Sequence, residues 1–384
     1  MIDNLLPYVK NVNYKYIAAK RRKTMKSRNK GIVKAMTMFA ALIIMVTGLY
    51  GCGTGAAGTS DEDKKAASEG YDITAGASVD NPYTFTDDYG RSVTVTSHNR
   101  VAAMIGSFAD IWTSAGGEIV AAANDTWTNF DLGLSESVVN IGSILNPNTE
   151  LLIAAQPDFV IASCNTDSNI ALMSTLENAG ITVAYFDVSN FSQYLNMLDH
   201  CTMITGRRDL YKTNGEDVKA QIDEVKSSMG DNHPKVLFIR AAASSVKAKG
   251  STGSVGGEML ADLGCINIAD SDKSLLDDLS LEAIVAADPD YIFVTTQGND
   301  TEAAMKNFDK LVSDNPAWSS LRAVKESRYY VLDKKMYNLK PNDQWGKAYK
   351  QLADILNYGY SIRRINIWDT FHFLLISKEK RVLS

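Results

Sequence analysis

The stretch Asn148–Ser163, NTELLIAAQPDFVIAS, returns 132 residues later as Ser280–Thr295, SLEAIVAADPDYIFVT. Glu150 aligns with Glu282, Pro157 with Pro289, Asp158 with Asp290 and Phe159 with Tyr291. In each copy a polar residue caps a short apolar helix with a glutamate in its first turn. Pro-Asp then ends the helix, and an apolar run follows as a buried strand. Solenoid repeats have periods of roughly 20 to 50 residues, so the spacing points instead to duplication of a whole α/β lobe.

The segments around the two copies follow the same alternation. Tyr83–Thr96 alternates apolar and polar residues about Asp87-Asp88-Tyr89-Gly90 and predicts a β-hairpin. A strand at Arg100–Met104, a helix from Gly106 to Ala115, strands at Ile119–Ala123 and Val138–Ile141, a helix at Asn169–Ala179 and a strand at Thr182–Phe186 complete a first lobe with a parallel sheet. Asp209–Met229 reads as one helix about 31 Å long, suited to a strut between lobes, with Gly215 marking a break or kink. A second lobe runs from a strand at Lys235–Ala241 through a helix at Gly257–Leu263, a strand at Ile266–Ile268 and the second copy. It continues with a helix at Thr301–Val312, a strand at Tyr329–Leu332 and a closing helix at Asp343–Leu356. The expected fold class is therefore α/β: two similar α/β lobes joined by a long interdomain helix, with a ligand cleft between them.

The 384 residues, 45% hydrophobic and 22% charged, are enough for two ordinary cores. The first 51 residues differ from the rest, holding ten Lys or Arg and one acid, Asp3. Basic Lys26–Lys34 followed by apolar Ala35–Leu49 fits a secretory signal and is shorter than the roughly 20 residues of a spanning helix. It ends in Leu49-Tyr50-Gly51-Cys52, which resembles a bacterial lipobox, with Tyr50 departing from the usual small residue; Cys52 is the expected lipidation site. Met1–Thr24 has no place in this scheme and reads as an extension upstream of a start at Met25. Gly53–Asp80 is small, polar and charged, hence a flexible tether. The expected organisation is a signal at 1–51, a lipidated tether at 52–80, a lobe at 81–189, connecting helices at 190–230, a lobe at 231–356 and an atypical apolar tail at 357–384. Such a chain is extracytoplasmic and held to the bacterial membrane through the lipid alone.

Residue types exclude several chemistries. The histidines His98, His200, His233 and His372 are scattered, so no imidazole metal site is expected. Cys164, Cys201 and Cys265 form no CxxC and read as small core residues. Gly250–Gly257, GSTGSVGG, lacks the Lys-Ser/Thr of a P-loop, and no nucleophile elbow or HExxH is present. Beyond residue 51 the chain carries 29 basic against 44 acidic residues, a net charge of −15 that speaks against nucleic acid.

Tyr83–Leu356 resembles the substrate-binding lipoproteins of ABC importers for iron-siderophore complexes, haem and cobalamin, the class III periplasmic binding proteins. The resemblance rests on GRSVTV with Arg100-Val101, Gly142-Ser143, the two repeat copies, GGEMLADLGCINIA at Gly256–Ala269, NPAWSSLRAVKESRYYVL at Asn315–Leu332 and KPNDQWGKAYKQLADIL at Lys340–Leu356. It implies a long helix joining the lobes, limited closure, and a ligand in the cleft. It also implies one acidic residue per lobe for arginines of a dimeric permease with its ATPase, which here are Glu150 and Glu282. Duplicated lobes place these two glutamates about a pseudo-twofold axis, suited to a twofold partner.

Ligand contacts are expected in loops that follow strands. Trp127, with Phe130 nearby, Asn165, Arg240, Lys247, Lys249, Gln297 and Trp345, close to Lys340, supply aromatic faces and cations for a large anionic complex. Trp112 and Trp318 read as core. The expected function is a monomeric, lipid-anchored receptor for a ferric siderophore-type complex, carried as cargo with no resident cofactor. A haem or cobalamin receptor, or an extracytoplasmic enzyme or chelatase on a similar frame, is the alternative.

Overall fold

The computed structural model describes residues 71–130, 132–313 and 315–357. The expected signal, Cys52, the tether up to residue 70 and the tail beyond 357 lie outside the described residues. Among the described residues no helix is long and apolar enough to cross a membrane.

The alternation at the start of the folded part forms the expected hairpin. β1 (Tyr83–Thr86) and β2 (Ser92–Val95) pair antiparallel in register Tyr83↔Val95 to Thr86↔Ser92, with Tyr83, Phe85, Val93 and Val95 buried. The turn is organised by Asp87. Its buried carboxylate accepts from the N–H groups of Tyr89 (3.1 Å), Arg91 (2.8 Å) and Tyr185 (3.1 Å), which ties the hairpin to the neighbouring sheet.

The first lobe contains β3 (Val101–Ala103), α1 (Gly106–Ser114), β4 (Ile119–Ala122), β5 (Val139–Asn140), α2 (Thr149–Ala154), β6 (Phe159–Ser163) and β7 (Thr182–Phe186). Its sheet has the order β5-β4-β3-β6-β7 with every pair parallel. The helix expected over Asn169–Ala179 is instead two short ones, Asp167–Ile170 and Met173–Asn178. Asn169 is engaged elsewhere: its side chain accepts from the Ser163 N–H (3.1 Å) and its carbonyl from the Tyr185 hydroxyl (3.0 Å), which fastens this turn to β6 and β7.

The connection to the second lobe begins with α3 (Phe191–Thr205), which opens on a capping box between Asn190 and Gln193 and closes on Gly206 at φ 71°. Helical backbone then runs from Arg208 to Ser227, ending as α4 (Asp217–Ser227). The break expected at Gly215 is a π-turn over Lys212–Glu216. A Cβ at Gly215 would stand 3.1 Å from Leu195 Cδ2 and 3.3 Å from Leu198 Cδ2, so the glycine lets this helix lie close against α3.

The second lobe repeats the first. It contains β8 (Lys235–Ala241), β9 (Val246–Ala248), α5 (Val255–Asp262), β10 (Ile266–Asn267), α6 (Leu281–Ala287), β11 (Tyr291–Thr296), α7 (Thr301–Ser313), β12 (Tyr329–Val331) and a last helix, α8, over 345–357. β10, β8, β11 and β12 are parallel neighbours, as β4, β3, β6 and β7 are in the first lobe. β9 is an addition read from sequence as loop. It folds back antiparallel on β8 through a tight turn in which the Ala242 N–H donates to the Ser245 carbonyl at 2.7 Å. The turn AASS has no Asn-Gly or Asp-Gly signal, which is why local reading passes over it.

The duplicated unit occupies equivalent places in the two lobes. Asn148 and Ser280 cap α2 and α6, accepting from Leu151 (3.0 Å) and Ala283 (3.3 Å). Gln156 (φ 50°) and Asp288 (φ 41°), which align in the repeat, both end their helices in the left-handed region. Asp158 and Asp290 then clamp the adjacent strand. Asp158 donates its N–H to the Arg100 carbonyl (2.9 Å), and its carboxylate accepts from the Arg100 N–H (3.1 Å). Asp290 makes the same pair of bonds with Lys235, at 2.7 and 3.0 Å.

Each parallel sheet is covered on both faces, as its continuous apolar strands require. Ala102, Val160 and Val183 face a cluster within the first lobe, and Leu237, Ile292 and Val294 face one within the second. The remaining faces share a single cluster in which Phe159 and Phe186 of one sheet and Phe238 and Phe293 of the other are joined through Tyr194, Leu198, Ile222, Trp345 and Leu352. The two lobes are thus packed onto common helices, which stiffens the connection between them.

Candidate functional site

Contacts between the lobes show which ends of the sheets meet. Asn342 Nδ2, just before α8, donates to the Ser107 carbonyl (3.1 Å) and to Asp110 Oδ2 (2.7 Å) on α1. Ser189 Oγ, after β7, donates to Glu258 Oε1 on α5 at 3.1 Å. The Lys335 ammonium lies 4.9 Å from the centre of the Phe130 ring, and the Lys340 ammonium 5.8 Å from that of Phe108. On the first-lobe side these residues all follow the carboxyl ends of parallel strands. Loops at the carboxyl ends therefore face one another across the cleft, where open α/β sheets take ligands.

Three of the expected contact residues lie on such loops. Trp127 is 41% exposed on the short helix Asp125–Asn129 that follows β4. Asn165, after β6, donates its amide to Asp187 Oδ1 at 2.5 Å, joining two loops of the first lobe. Gln297 follows β11, exposed, with its N–H on the Ala241 carbonyl at 2.8 Å. Trp345 does not belong to this set. It is fully buried, packed between Phe191, Tyr194 and Tyr349, because α8 turns its first residues into the core shared by the lobes. Trp112 and Trp318 are buried, as expected.

The cations gather on one face of the second lobe. Lys247 stands opposite Arg240 in the antiparallel β8–β9 register, and Lys249 follows two residues on, on the same face. Among the described residues none of the three has an ion-pair partner within 4.0 Å. Burial pushes the Arg240 guanidinium below its ordinary value. Burial, followed by the charges of Arg240 and Lys247, does the same to the Lys249 ammonium. The three cations lie on one face with no ion-pair partner among the described residues, an arrangement whose chemistry suits an anion.

The structure adds a buried group that sequence reading passed over. Asp125, just after β4, accepts the Gly106 N–H at 2.9 Å through Oδ2, while its buried Oδ1 has no hydrogen-bond partner among the described residues. Burial pushes its carboxyl up to about 6, a rise that the Gly106 N–H and the Lys340 charge oppose. Lys340 is pushed the other way by burial, opposed by Asp187 and Asp125. The rule that selected Trp127, a loop after a strand, reaches Asp125 as well. Its significance comes from Gly106 and Lys340, which are remote in sequence. Among the described residues no group of three or more His, Cys, Asp or Glu is gathered as a metal site.

Away from the cleft, Glu150 and Glu282 are both exposed in the first turns of α2 and α6, and neither takes part in an ion pair among the described residues. One turn further on, the aligned residues Ile153 and Val285 are each 37% exposed.

Two lobes of mainly parallel sheet, packed on shared helices and presenting the carboxyl ends of their parallel strands to one cleft, define a two-lobed solute-binding protein. The chain belongs to the periplasmic binding protein family, whose model matches residues 101–336. It is 24% identical over 258 residues to the Fe(3+)-citrate-binding protein YfmC of Bacillus subtilis (strain 168), covering 65% of this chain and 77% of the relative. Among solved structures it is similar to IsdE of S. aureus complexed with heme, at 17% identity and TM-score 0.57 over 67% of this chain and 98% of that one. It is also similar to the triscatecholate siderophore-binding protein FeuA of Bacillus subtilis complexed with Ferri-Bacillibactin, at 19% identity and TM-score 0.55 over 71% and 95%.

Proposed function

We propose that the chain is a monomeric extracytoplasmic receptor that captures an anionic ferric siderophore-type complex between its lobes, 81–189 and 231–356, and delivers it to an ABC permease dimer. The unpaired cluster of Arg240, Lys247 and Lys249 carries this reading, because it supplies the counter-charge that an anionic iron complex needs. Trp127 offers an exposed ring beside the cleft, and Asn165 and Gln297 offer amides. The iron-citrate relative fits the same ligand chemistry. Cys52 carries the lipid, the tether from 52 to 80 holds the folded part off the membrane, and 190–230 joins the lobes. Glu150 and Glu282 meet basic residues of the permease, contributing orientation and encounter more than affinity.

The test is a fluorescence titration of the mature chain with ferric citrate, a ferric tris-catecholate, a ferric hydroxamate, haem and cobalamin. Saturable quenching by an anionic ferric complex, weakened by salt and by Arg240→Ala, is the expected result. If no member of the panel binds more tightly than about micromolar, the receptor reading fails, since that is only about 8 kcal/mol of binding free energy. Turnover of a bound complex would favour the chelatase alternative.

A further inference from the structure

The segment that leads into α8 carries one more cation besides Arg240, Lys247 and Lys249. Lys340 is half-buried, its ammonium lies 5.8 Å from the centre of the Phe108 ring on α1, and among the described residues it has no ion-pair partner within 4.0 Å. The acids whose charges act on it are Asp187, after β7, and Asp125, after β4. β3 and β6 stand between those two strands in the sheet. The ammonium is therefore set over the middle of the carboxyl edge of the first-lobe sheet, where open α/β sheets take ligands.

The two acids differ in what else holds them. Asp187 accepts from the side-chain amides of Asn165 at 2.5 Å and Gln193 at 3.0 Å. Asp125 is buried and takes only the Gly106 N–H, through Oδ2, so that Oδ1 is left without a hydrogen bond among the described residues. A desolvated carboxylate oxygen with no donor favours the neutral acid. Burial accordingly raises the Asp125 carboxyl to about 6, with the Gly106 N–H and the Lys340 charge opposing the rise. α1 brings a further acid, Asp110, but its Oδ2 accepts from Asn342 at 2.7 Å and its charged neighbours are Lys335 and Asp343. Lys340 is thus the cation that keeps Asp125 ionised.

We propose that Lys340 is a further ligand cation and that Asp125 is its resident counter-charge, which an anionic ligand displaces and leaves protonated. The proposal rests on the reading of the chain as a receptor for an anionic ferric complex. An anion on Lys340 adds negative charge beside Asp125 and offsets the cation that kept it ionised, so both effects favour a proton on the carboxyl. The proton is taken from solvent. Ligand and proton then bind cooperatively, and the linkage has one sign: affinity for the anion falls as pH rises through about 6, where Asp125 of the empty receptor ionises.

The experiment titrates the mature wild-type chain, Asp125→Asn and Lys340→Gln with ferric citrate and with a ferric tris-catecholate from about pH 5.5 to about pH 8, with melting temperatures followed in parallel. Changes in the ligand's own protonation are common to the three proteins and cancel in the ratio of their affinities. Over about two pH units from 5.5, Asp125→Asn should gain about three- to tenfold in affinity relative to the wild type, and Asp125→Ser, a second neutral variant, should do the same. Calorimetry in two buffers of different ionisation enthalpy should show the wild type taking up a fraction of a proton more on binding than Asp125→Asn, a difference that a purely structural role does not produce. Lys340→Gln should weaken binding about tenfold, with Lys340→Arg restoring it. If the affinity ratio is constant with pH and proton uptake is equal, or if Lys340→Gln binds as the wild type does, the proposal is overturned and the receptor reading stands. If the wild type binds neither these probes nor any other anionic ferric complex, the receptor reading falls and the proposal with it.

Discussion

Lys247 stands directly opposite Arg240 across the antiparallel β8–β9 pair. Like charges in this position destabilise the sheet, so on the proposed reading of the pair as a ligand contact, binding and stability make opposite demands on it. Lys247→Glu is expected to stabilise the empty protein by about 0.5–1 kcal/mol in urea unfolding and to weaken binding of an anionic ferric complex about tenfold or more. A variant that loses stability and keeps affinity would show that the cations serve the fold and not the ligand.

Asp125 gives a pH dependence of defined sign. Its folded-state carboxyl is raised from 3.8 to about 6, so between these values the folded protein binds a proton that the unfolded chain has lost. Stability therefore falls as pH rises from about 4 to about 6 and is level above that. The shift corresponds to at most about 3 kcal/mol. Asp125→Asn keeps an acceptor for the Gly106 N–H and removes the titration. Its melting temperature should match the wild type near pH 4, move above it by pH 6, and keep a constant lead to pH 8. Parallel curves across that range would refute the assignment.

Gln156 and Asp288 occupy the same left-handed position, but only one has a reason to keep its side chain. The Gln156 side chain makes no hydrogen bond among the described residues, whereas Asp288 Oδ1 accepts the Arg322 N–H at 3.0 Å. Gln156→Gly should stabilise the protein by about 1 kcal/mol by relieving the Cβ strain. Asp288→Gly should gain less or lose, because the bond to Arg322 goes with it. Equal effects in chemical denaturation would mean that the backbone conformation alone matters.

Trp345 tests the division between core and cleft. Trp345→Phe retains most of the buried ring and should leave ferric-ligand affinity unchanged, while Trp345→Ala should destabilise the protein by about 3–5 kcal/mol. Loss of affinity in Trp345→Phe at unchanged melting temperature would return this residue to the ligand site.

What was legible in the sequence is what neighbours along the chain decide. The strands Thr182–Phe186 and Lys235–Ala241 are found where their apolar runs place them, because a buried parallel strand is a short apolar run between turn residues. The repeat of NTELLIAAQPDFVIAS identified two lobes, since Asp158 and Asp290 each close the same local clamp on a neighbouring strand. The tertiary structure decided what depends on desolvation and on residues far apart in the chain. An aromatic residue at the start of a helix has the same local pattern whether it faces a cleft or a core. Only the packing of α8 against Phe191 and Tyr194 buries Trp345. Likewise, the turn at Ala242–Ser245 carries no strong signal, and it took the β8–β9 pairing to set Lys247 against Arg240 and bring three cations to one face.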